Sequence, residues 1–289
     1  MIVVTGASGT IGSALLPLLL EKGYPVRAVV RDPKRLGPSR SAVQIALLDL
    51  GNPHGLRHAL RGADAVIHLA ATTRDQPPRR VEEINGLGTL RLLREAERRG
   101  VGRFVYASAL NASSFQRTRF FRSKALAEQA VSASPIETTI VAPSIVYDID
   151  DPWVTMMRRL ALLPAMPLSG SAKATFQPIW ARDAARCIVA SLERQPGRFE
   201  LVGPQTLSYA AIAQVIAASC GRVRPQVKLP LPMVRTGLIW SRALLGGGSF
   251  ATWEEAELLE IAMTSDRGDA DVRALGVSPL GMAEVLGQA

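Results

Sequence analysis

The first half of the chain alternates short apolar runs with segments of helical periodicity. Between the first two runs, Ile11, Leu15, Leu18 and Leu19 recur at helical spacing, and Gly23 ends the pattern. Such alternation predicts a parallel sheet with helices on both faces, because each crossover helix must pack its apolar stripe against the sheet. The predicted strands are residues 2–6, 26–30, 44–50, 65–70, 103–108 and 138–143.

Near residue 150 the alternation stops, which indicates a second part of different construction. Prolines and glycines cluster between residues 164 and 170. We expect an α/β fold: a Rossmann-type doubly wound parallel sheet in residues 1–150 and a smaller C-terminal substrate lobe in residues 151–289. The run at 199–202 could join the main sheet, so the lobe is expected to be partly interwoven with it. Helical patterns in this second part are 183–193, 208–220, 253–263 and 281–287, and the first part has further ones at 87–98 and 118–130.

The segment TGASGTIG lies between the first strand and the first helix. Gly6 permits the tight turn, Gly9 lets a pyrophosphate approach the backbone, and Gly12 allows close packing of helix and strand. The amide hydrogens and the positive dipole end of the helix then face the phosphates. This context predicts a dinucleotide site, with a purely structural glycine turn as the alternative. The residues assigned to the site are Thr5, Gly6, Ser8, Gly9, Thr10, Ile11 and Gly12.

The segment VVRDPKR at the end of the second strand bears on which dinucleotide is bound. An acidic side chain there would bind the ribose 2′-hydroxyl of NAD, whereas an arginine would bind the 2′-phosphate of NADP. Arg31 is the first polar residue after the strand, and Lys34 and Arg35 follow it. Asp32 is interpreted as a turn residue before Pro33. The segment therefore predicts NADP(H), with a solvated basic loop as the alternative.

Composition narrows the class of partner. Lys and Arg number 34 against 25 Asp and Glu, a net charge of +9 that can steer anionic ligands. The basic residues are not concentrated in a run interleaved with aromatics, so nucleic acid is not an expected partner. Cys187 and Cys220 form no disulfide framework and no metal-binding pattern with the histidines. We expect a small-molecule substrate and a reducing compartment.

Two features bear on membranes. The chain enters an apolar strand at once, without a basic leader, and holds no run of about 20 apolar residues, so no transmembrane segment and a cytoplasmic protein are expected. Residues 229–250 mix leucines, a tryptophan and arginines. This segment is interpreted as a lid helix of the substrate lobe, with contact to a membrane surface as the alternative.

Several motifs follow one another along most of the chain, among them TGASGTIG at 5–12, AVIHLAA at 65–71, FVYASA at 104–109 and RSKALAE at 122–128. Together they resemble the short-chain dehydrogenase/reductase superfamily in its extended or atypical branch. Within that branch the chain is most similar to NAD(P)H-binding proteins of the NmrA-like and complex I accessory-subunit-like groups. The resemblance implies the fold and the cofactor more strongly than a reaction, because the branch contains reductases, epimerases, dehydratases and proteins that only hold NADP(H).

The resemblance also implies individual roles. Asp49 and Leu50 would lie beside the adenine, with the aspartate accepting from its amino group; the end of a strand is the other interpretation of Asp49. Asn85 matches a position that braces the site, although a helix start is an equal interpretation. Ser108 follows the fifth strand at the edge where such sheets bind ligands, near the position of the family's catalytic serine or threonine. The path toward the nicotinamide ribose would be lined by Leu69, Ala70 and Ala71.

The family's catalytic pair is incomplete in this chain. In the family, a tyrosine four residues before a lysine acts as acid or base, while the lysine binds the nicotinamide ribose. Phe120 and Lys124 occupy these positions, one helical turn apart on one face. The resemblance therefore implies that ribose binding by Lys124 is retained and the usual proton transfer is lost. Lys124 itself, a water molecule or Tyr147 could supply the proton instead.

Three functions follow from this incomplete site. An NADPH-dependent reductase could transfer hydride to a small apolar or aromatic acceptor, such as a quinone, an activated alkene or an imine. Alternatively, the protein could be an idle NADP(H)-binding sensor or assembly protein, or a sugar-nucleotide epimerase or dehydratase. A monomer and a homodimer are equally expected.

Several remaining side chains have two interpretations each. Phe120, Tyr147 and Phe176 are expected to line an apolar substrate cleft, although aromatics at such positions often belong to the core. Glu128 could pair with Lys124 or lie on the surface. Asp183 is expected to cap the helix that follows it.

Overall fold

The described part of this computed structural model, residues 1–50, 53–237 and 253–287, contains one large parallel sheet and three two-stranded sheets. The strands are β1 (Ile2–Thr5), β2 (Val26–Val30), β3 (Gln44–Leu47), β4 (Ala65–His68), β5 (Arg103–Ala107), β6 (Glu137–Pro143), β7 (Val146–Tyr147), β8 (Met166–Ser169), β9 (Thr175–Phe176), β10 (Ile179–Trp180), β11 (Arg198–Leu201), β12 (Leu207–Ser208) and β13 (Gln226–Leu229).

Ten helices have described bounds, and residues 231–237 are helical as well. A 3₁₀ segment, Pro33–Ser41, follows β2, and a π-helical segment, Glu83–Gly88, precedes the third helix. The helices are α1 (Thr10–Glu21), α2 (Pro53–Ala59), α3 (Thr89–Arg98), α4 (Arg119–Ser132), α5 (Pro152–Leu160), α6 (Ala181–Ser191), α7 (Tyr209–Ser219), α8 (Trp253–Leu258), α9 (Ala270–Ala274) and α10 (Met282–Leu286).

The seven strands of the main sheet run in the order β3-β2-β1-β4-β5-β6-β11, and every neighbouring pair is parallel. The chain changes direction across the sheet between β1 and β4. Sheets of this type open a ligand crevice at that point, beyond the carboxyl ends of the strands. The predicted doubly wound α/β fold is thereby confirmed.

Both faces of the main sheet are covered by helices, and the central strands β1 and β4 are buried along their whole length. Successive side chains of a strand point to opposite faces. Ile2 and Val4 accordingly join one apolar core with α1 and α6, whereas Val3 joins a second core with α2, α3 and α4. This double burial explains why the strands read as continuous apolar runs in the sequence.

A third core lies in the second half of the chain. It combines side chains from α5, α7 and α10 with residues of the short strands, and Phe121 of α4 reaches into it. The second half also returns to the main sheet, since β11 pairs with β6 and α6 packs against α1. The segment from α6 to β11, residues 181–201, therefore adds one more helix and one more parallel strand to the main sheet.

Some element limits differ from the predicted ones. The helix predicted at 253–263 ends at Leu258, because the backbone leaves the helix so that the Met263 amide can donate to the Thr175 carbonyl at 2.9 Å. The first two residues of the helix predicted at 87–98 belong to the π-helical segment. Within the described residues, no helix is long and apolar enough to cross a membrane. Residues 238–250 of the predicted lid or surface segment lie outside the described residues.

Candidate cofactor site

The turn between β1 and α1 has no room for side chains at two of its glycines. Gly6 has φ +71°, and a Cβ atom there would lie 2.6 Å from the Ala70 nitrogen. At Gly12 a Cβ atom would lie 2.3 Å from the Gly6 carbonyl oxygen. Since backbone atoms cannot move aside as a flexible side chain could, glycine is required at both positions.

The start of α1 leaves donors for a ligand. Gly9 precedes the helix and has no side chain to cap it, and the Ser13 amide, which donates to the Gly9 carbonyl at 2.8 Å, makes the first bond of the helical pattern. The amides of residues 10–12 therefore have no acceptor within the helix. Backbone donors at a helix start bind phosphate, and the helix dipole adds to the attraction.

A buried histidine ties β1 to β4 beneath this turn. His68 lies between two hydroxyls, with ring nitrogens 2.6 Å from Thr5 Oγ1 and 2.8 Å from Thr89 Oγ1. Burial, together with the nearby charge of Lys124, lowers the pKa of His68 to about 3. The imidazole is therefore neutral at physiological pH, and it holds Thr5 in place at the mouth of the crevice.

A cleft of about 420 Å³ opens beside the glycine-rich turn, at the carboxyl edge of β1, β2 and β4. Most residues that the sequence assigned to the cofactor line it. Thr10, Ile11 and Gly12 form the adjoining first turn of α1, whereas Asn85 and Lys124 do not line the cleft. The lining residues among those assigned are Thr5, Gly6, Ser8, Gly9, Arg31, Asp49, Leu50, Leu69, Ala70 and Ala71.

Two arginines after β2 form the basic end of this cleft. Arg31 and Arg35 both line it, and the Arg31 guanidinium donates to Gln76 Oε1. Asp32 does not reach into the cleft, because it precedes the 3₁₀ segment and accepts a hydrogen bond from the Lys34 amide at 3.0 Å. The aspartate is therefore the turn residue that the sequence indicated.

The segment between β4 and the π-helical turn forms the opposite wall. Gln76, Pro77, Pro78 and Arg79 line the cleft from this side. The Arg79 guanidinium donates to Asp49 Oδ2 at 3.0 Å, so a cross-cleft ion pair engages the side chain expected to bind adenine. Sequence reasoning missed this wall. The available signal was its position after β4, at the ligand-binding edge of the sheet.

The wall segment, residues 72–81, is anchored to neighbouring elements at both ends. Asn85 holds its start, because Asn85 Oδ1 accepts from the Thr72 amide and Asn85 Nδ2 donates to the Thr72 carbonyl, both at 2.9 Å. Arg119 of α4 donates to Asp75 at 3.0 Å and also binds Glu82. These bonds lower the pKa values of both carboxyls. The position of Asn85 is therefore that of a brace outside the cleft.

Lys124 is buried behind the end of β5. Its side chain is 2% exposed, its ammonium group donates to the Ala107 carbonyl, and Nζ lies 4.5 Å from the centre of the Tyr106 ring. Burial lowers the pKa of Lys124 to about 7, although the negative charge of Glu128 acts in the opposite direction. A lysine in this setting exchanges its proton near neutral pH.

Ser108 and Glu128 belong to a neighbouring polar group. The Ser108 hydroxyl donates to Glu128, and Arg198 Nε donates to the same carboxylate at 2.9 Å. The Glu128 carboxylate therefore links Arg198 of β11 to Ser108 at the end of β5. Of the two roles considered for it, a direct ion pair with Lys124 is not formed in the described structure.

The three aromatic residues expected at a substrate cleft have different surroundings. Phe120 is half-buried and packs against the third core, with its ring centre 5.3 Å from that of Phe121. Tyr147 and Phe176 are both fully buried in that core. Burial and nearby carboxylates, first Asp183, raise the pKa of Tyr147. Its hydroxyl has no hydrogen-bond partner among the described residues.

Asp183 does not cap the helix that follows it, which corrects the expectation from sequence. The helix α6 begins two residues earlier, so that Asp183 lies in its first turn. Its carboxylate accepts from the Leu280 amide at 2.9 Å and from Arg186 at 3.0 Å. The side chain therefore joins α6 to the C-terminal segment.

Comparison with known proteins agrees with this geometry. A family model described as NAD(P)H-binding matches residues 6–194. The chain is 26% identical over 243 residues to the NADH-ubiquinone oxidoreductase 40 kDa subunit of Neurospora crassa, covering 80% of this chain but only 63% of that protein. It is 30% identical to the NAD(P)H azoreductase of Xenophilus azovorans, covering 82% of this chain and 80% of that one.

Among solved structures, the UDP-glucose 4-epimerase of Thermus thermophilus in complex with NAD has a TM-score of 0.77. The match covers 99% of this chain and 96% of that one at 18% identity, so the likeness concerns the fold alone. A nicotinamide dinucleotide fits this site. It would lie across the turn at Gly6, Gly9 and Gly12, here called the glycine cradle, the open start of α1 and the basic cleft. The chain therefore belongs to the NAD(P)H-binding family and is an atypical member of the short-chain dehydrogenase/reductase superfamily.

Proposed function

We propose that the protein is an NADPH-dependent reductase. The observation that carries the proposal is the pair Arg31 and Arg35 at one end of the cleft whose other end is the glycine cradle. Two guanidinium groups beside the adenosine ribose favour a 2′-phosphate over a free hydroxyl. The net charge of +9 adds long-range attraction for the more anionic cofactor.

The proposed acceptor is small and either apolar or aromatic: a quinone, an activated alkene or an imine. Bound NADPH would supply the hydride. Phe120 at the position of the family's tyrosine favours an acceptor whose reduced form is already stabilised, because a phenyl ring cannot donate a proton. Similarity to an NAD(P)H azoreductase supports a reductase rather than an epimerase.

Lys124 is the proposed proton source and ribose ligand, with Ser108 and Tyr147 as further candidates for the catalytic group. A lysine with a pKa of about 7 can give up a proton and regain it at neutral pH. To reach the ribose, its ammonium group would have to leave the Ala107 carbonyl. The Tyr147 hydroxyl, which has no hydrogen-bond partner among the described residues, is an alternative donor.

Nucleotide preference tests the cofactor assignment. We expect tryptophan fluorescence titration to give tighter binding of NADPH than of NADH. Replacing Arg31 by Asp removes a charge-assisted contact and adds repulsion, so the variant should lose about tenfold to a hundredfold in NADPH affinity and prefer NADH. The exposed Arg57 on α2 provides the control, because Arg57→Asp changes net charge equally away from the cleft. An unchanged preference in Arg31→Asp would remove the basis for NADP(H).

Turnover tests the reaction. Quinones, enals and imines are offered as acceptors, and oxidation of NADPH is measured as a fall in its near-ultraviolet absorbance. We expect activity that Lys124→Ala reduces by about a hundredfold or more and that Phe120→Tyr leaves within about threefold. A large gain in Phe120→Tyr would instead show that the chain only lacks its acid.

A second candidate function is an NADP(H)-binding protein without turnover. The contact between the Lys124 ammonium group and the Ala107 carbonyl favours it, because this contact holds the lysine inside the protein and away from the cleft. Similarity to a 40 kDa subunit of NADH-ubiquinone oxidoreductase is compatible with such a role. Tight NADPH binding with no oxidation across the whole acceptor screen would favour this candidate over the reductase.

A further inference from the structure

An exposed apolar surface lies in the second half of the protein, where α5 leads into β8 and α7 leads into β13. Four aliphatic side chains there are exposed: Leu162 by 59%, Leu163 by 45%, Val223 by 92% and Val227 by 46%. We refer to residues 159–164 and 222–228 as the α5–β13 patch.

The two segments of the α5–β13 patch form one continuous surface. Arg224 Nε donates to the Ala161 carbonyl at 3.1 Å, which joins the turn after α5 to the turn before β13. The Met166 amide donates to the Pro225 carbonyl at 2.8 Å, and Val227 lies opposite Pro167 in the parallel pair β13–β8. The exposed leucines and Val223 therefore flank the same contact, between the Arg224 side chain and the Ala161 carbonyl.

The charged residues of the α5–β13 patch are all basic. Residues 159–164 and 222–228 contain no Asp or Glu but four Lys or Arg residues: Arg159, Arg222, Arg224 and Lys228. Arg222, Arg224 and Lys228 form no ion pair with the described residues, whereas Arg79, Arg119 and Arg198 elsewhere are all paired with carboxylates. The patch thus combines exposed aliphatic side chains with three cations, Arg222, Arg224 and Lys228, that form no ion pair with the described residues.

We propose that the α5–β13 patch docks the protein on an anionic phospholipid surface. The side chains of Leu162, Leu163 and Val223 would enter the boundary between headgroups and acyl chains, while the flanking cations would contact lipid phosphates. A second copy of the chain is a poorer occupant, because a two-fold contact would bring the same cations of both copies together. An acidic protein would match the charge but would leave the protruding Val223 and the leucines without an apolar layer to enter.

Vesicle binding of the full chain tests the proposal. Flotation with vesicles of phosphatidylcholine containing roughly 30% phosphatidylglycerol should carry the protein upward, and pure phosphatidylcholine should carry at least about tenfold less. The double variant Leu162→Ser/Leu163→Ser should weaken partitioning by about tenfold or more. Lys228→Glu should weaken it by about thirtyfold, since it reverses one charge at the membrane surface.

Matched variants on other surfaces control for general effects. Leu87→Ser/Leu126→Ser replaces two leucines that are 48% and 56% exposed, and Arg57→Glu reverses an exposed charge on α2. Both control variants should bind anionic vesicles like the parent protein, and all variants should keep the parent's thermal unfolding midpoint. Equal loss in patch and control variants would overturn the proposal, as would absence of flotation. A change of oligomeric state on sedimentation in the patch variants, without a change in flotation, would overturn it in favour of a contact between copies.

Discussion

At Gly12 the space for a side chain is filled by the backbone of the preceding turn. A Cβ atom would lie 2.3 Å from the Gly6 carbonyl oxygen and 2.7 Å from two backbone atoms of Ala7. We therefore predict that Gly12→Ala displaces the start of α1, lowering the free energy of unfolding by about 2 kcal/mol and weakening NADPH binding by more than about tenfold. Urea unfolding and fluorescence titration measure the two effects.

Gly86 provides the control for this substitution. It is also in a helical segment, but a Cβ atom there would meet no atom within 4 Å. Gly86→Ala should therefore leave NADPH binding unchanged and should not lower the free energy of unfolding, because alanine has the higher helix propensity. Equal losses in the two variants would mean that the close backbone contacts at Gly12 are not the cause of its loss, since alanine has a higher helix propensity than glycine.

The buried Lys124 is expected to make stability depend on pH. Its pKa is about 7 in the folded protein, against an ordinary value of 10.5. Between these values the unfolded chain binds a proton that the folded protein does not, so this lysine makes stability fall as the pH decreases from 10.5 to 7. Below pH 7 both states carry the charge, and the folded state bears the full cost of burying it.

We predict that Lys124→Met stabilises the protein below about pH 7. Methionine fills similar space without a charge, so the free energy of unfolding should rise by about 2 kcal/mol near pH 6. This advantage should shrink as the pH approaches about 10, because the parent lysine is then neutral when folded. Denaturant unfolding across this pH range measures it, with the exposed Lys173→Met as control. A difference that is constant with pH would show that Lys124 is charged in the folded protein throughout.

At the scale of elements, the wall segment 72–81 and α4 act together. Arg119 joins them through Asp75 and Glu82, and the segment supplies Gln76 and Arg79 to the cleft. We predict that Arg119→Gln weakens NADPH binding on the order of tenfold, because the wall then has to be ordered by the ligand. Fluorescence titration measures this loss. The free energy of unfolding should change by less than about 1 kcal/mol, since these groups are partly exposed.

The pH dependence distinguishes this ion-pair effect from a loss of packing. Arg119 lowers the pKa values of Asp75 and Glu82 below their ordinary values of 3.8 and 4.5. Their contribution is therefore present above pH 4.5 and is lost as the pH falls through the lowered values. Parent and Arg119→Gln should converge in stability on acidification; a gap that persists once both carboxyls are protonated would point to packing of the arginine stem.

Local patterns sufficed to predict the elements of the main sheet. Apolar runs and helical periodicity are properties of a few adjacent residues, and the first six strands lie where those runs lie. The glycine turn and Arg31 follow from the same kind of local motif. The end of α8 at Leu258 could not be predicted, because it depends on the pairing of Met263 with Thr175, far away in the sequence.

The surroundings of the expected catalytic groups depend on distant residues. Tyr147 and Phe176 are buried by side chains from α5, α7 and α10, which no motif around either residue indicates. The contact of Lys124 with the Ala107 carbonyl is likewise set by the packing of α4 on β5. Spacing along one helix predicts which side chains share a face, but not what that face meets.

At the scale of the whole molecule, the Asp151 side chain joins the helix that follows the glycine cradle to the second half of the protein. Asp151 Oδ1 accepts from the amides of Trp153 and Val154, at 2.7 and 3.3 Å, and so caps α5. Its other oxygen, Oδ2, accepts from the Thr10 hydroxyl in the first turn of α1 at 2.9 Å. A dinucleotide that orders the start of α1 should therefore also order the start of α5.

We predict that NADPH slows amide hydrogen exchange in residues 152–160 and that Thr10→Val removes most of this protection. Valine keeps the shape of threonine but cannot donate to Asp151, while the cap of α5 remains intact. Hydrogen exchange measured by mass spectrometry, at saturating NADPH for each variant, tests the coupling, with the exposed Ser13→Ala in the same helix as control. If α5 stays protected in Thr10→Val, the two halves communicate through the α1–α6 packing, and the Thr10–Asp151 bond is not the link.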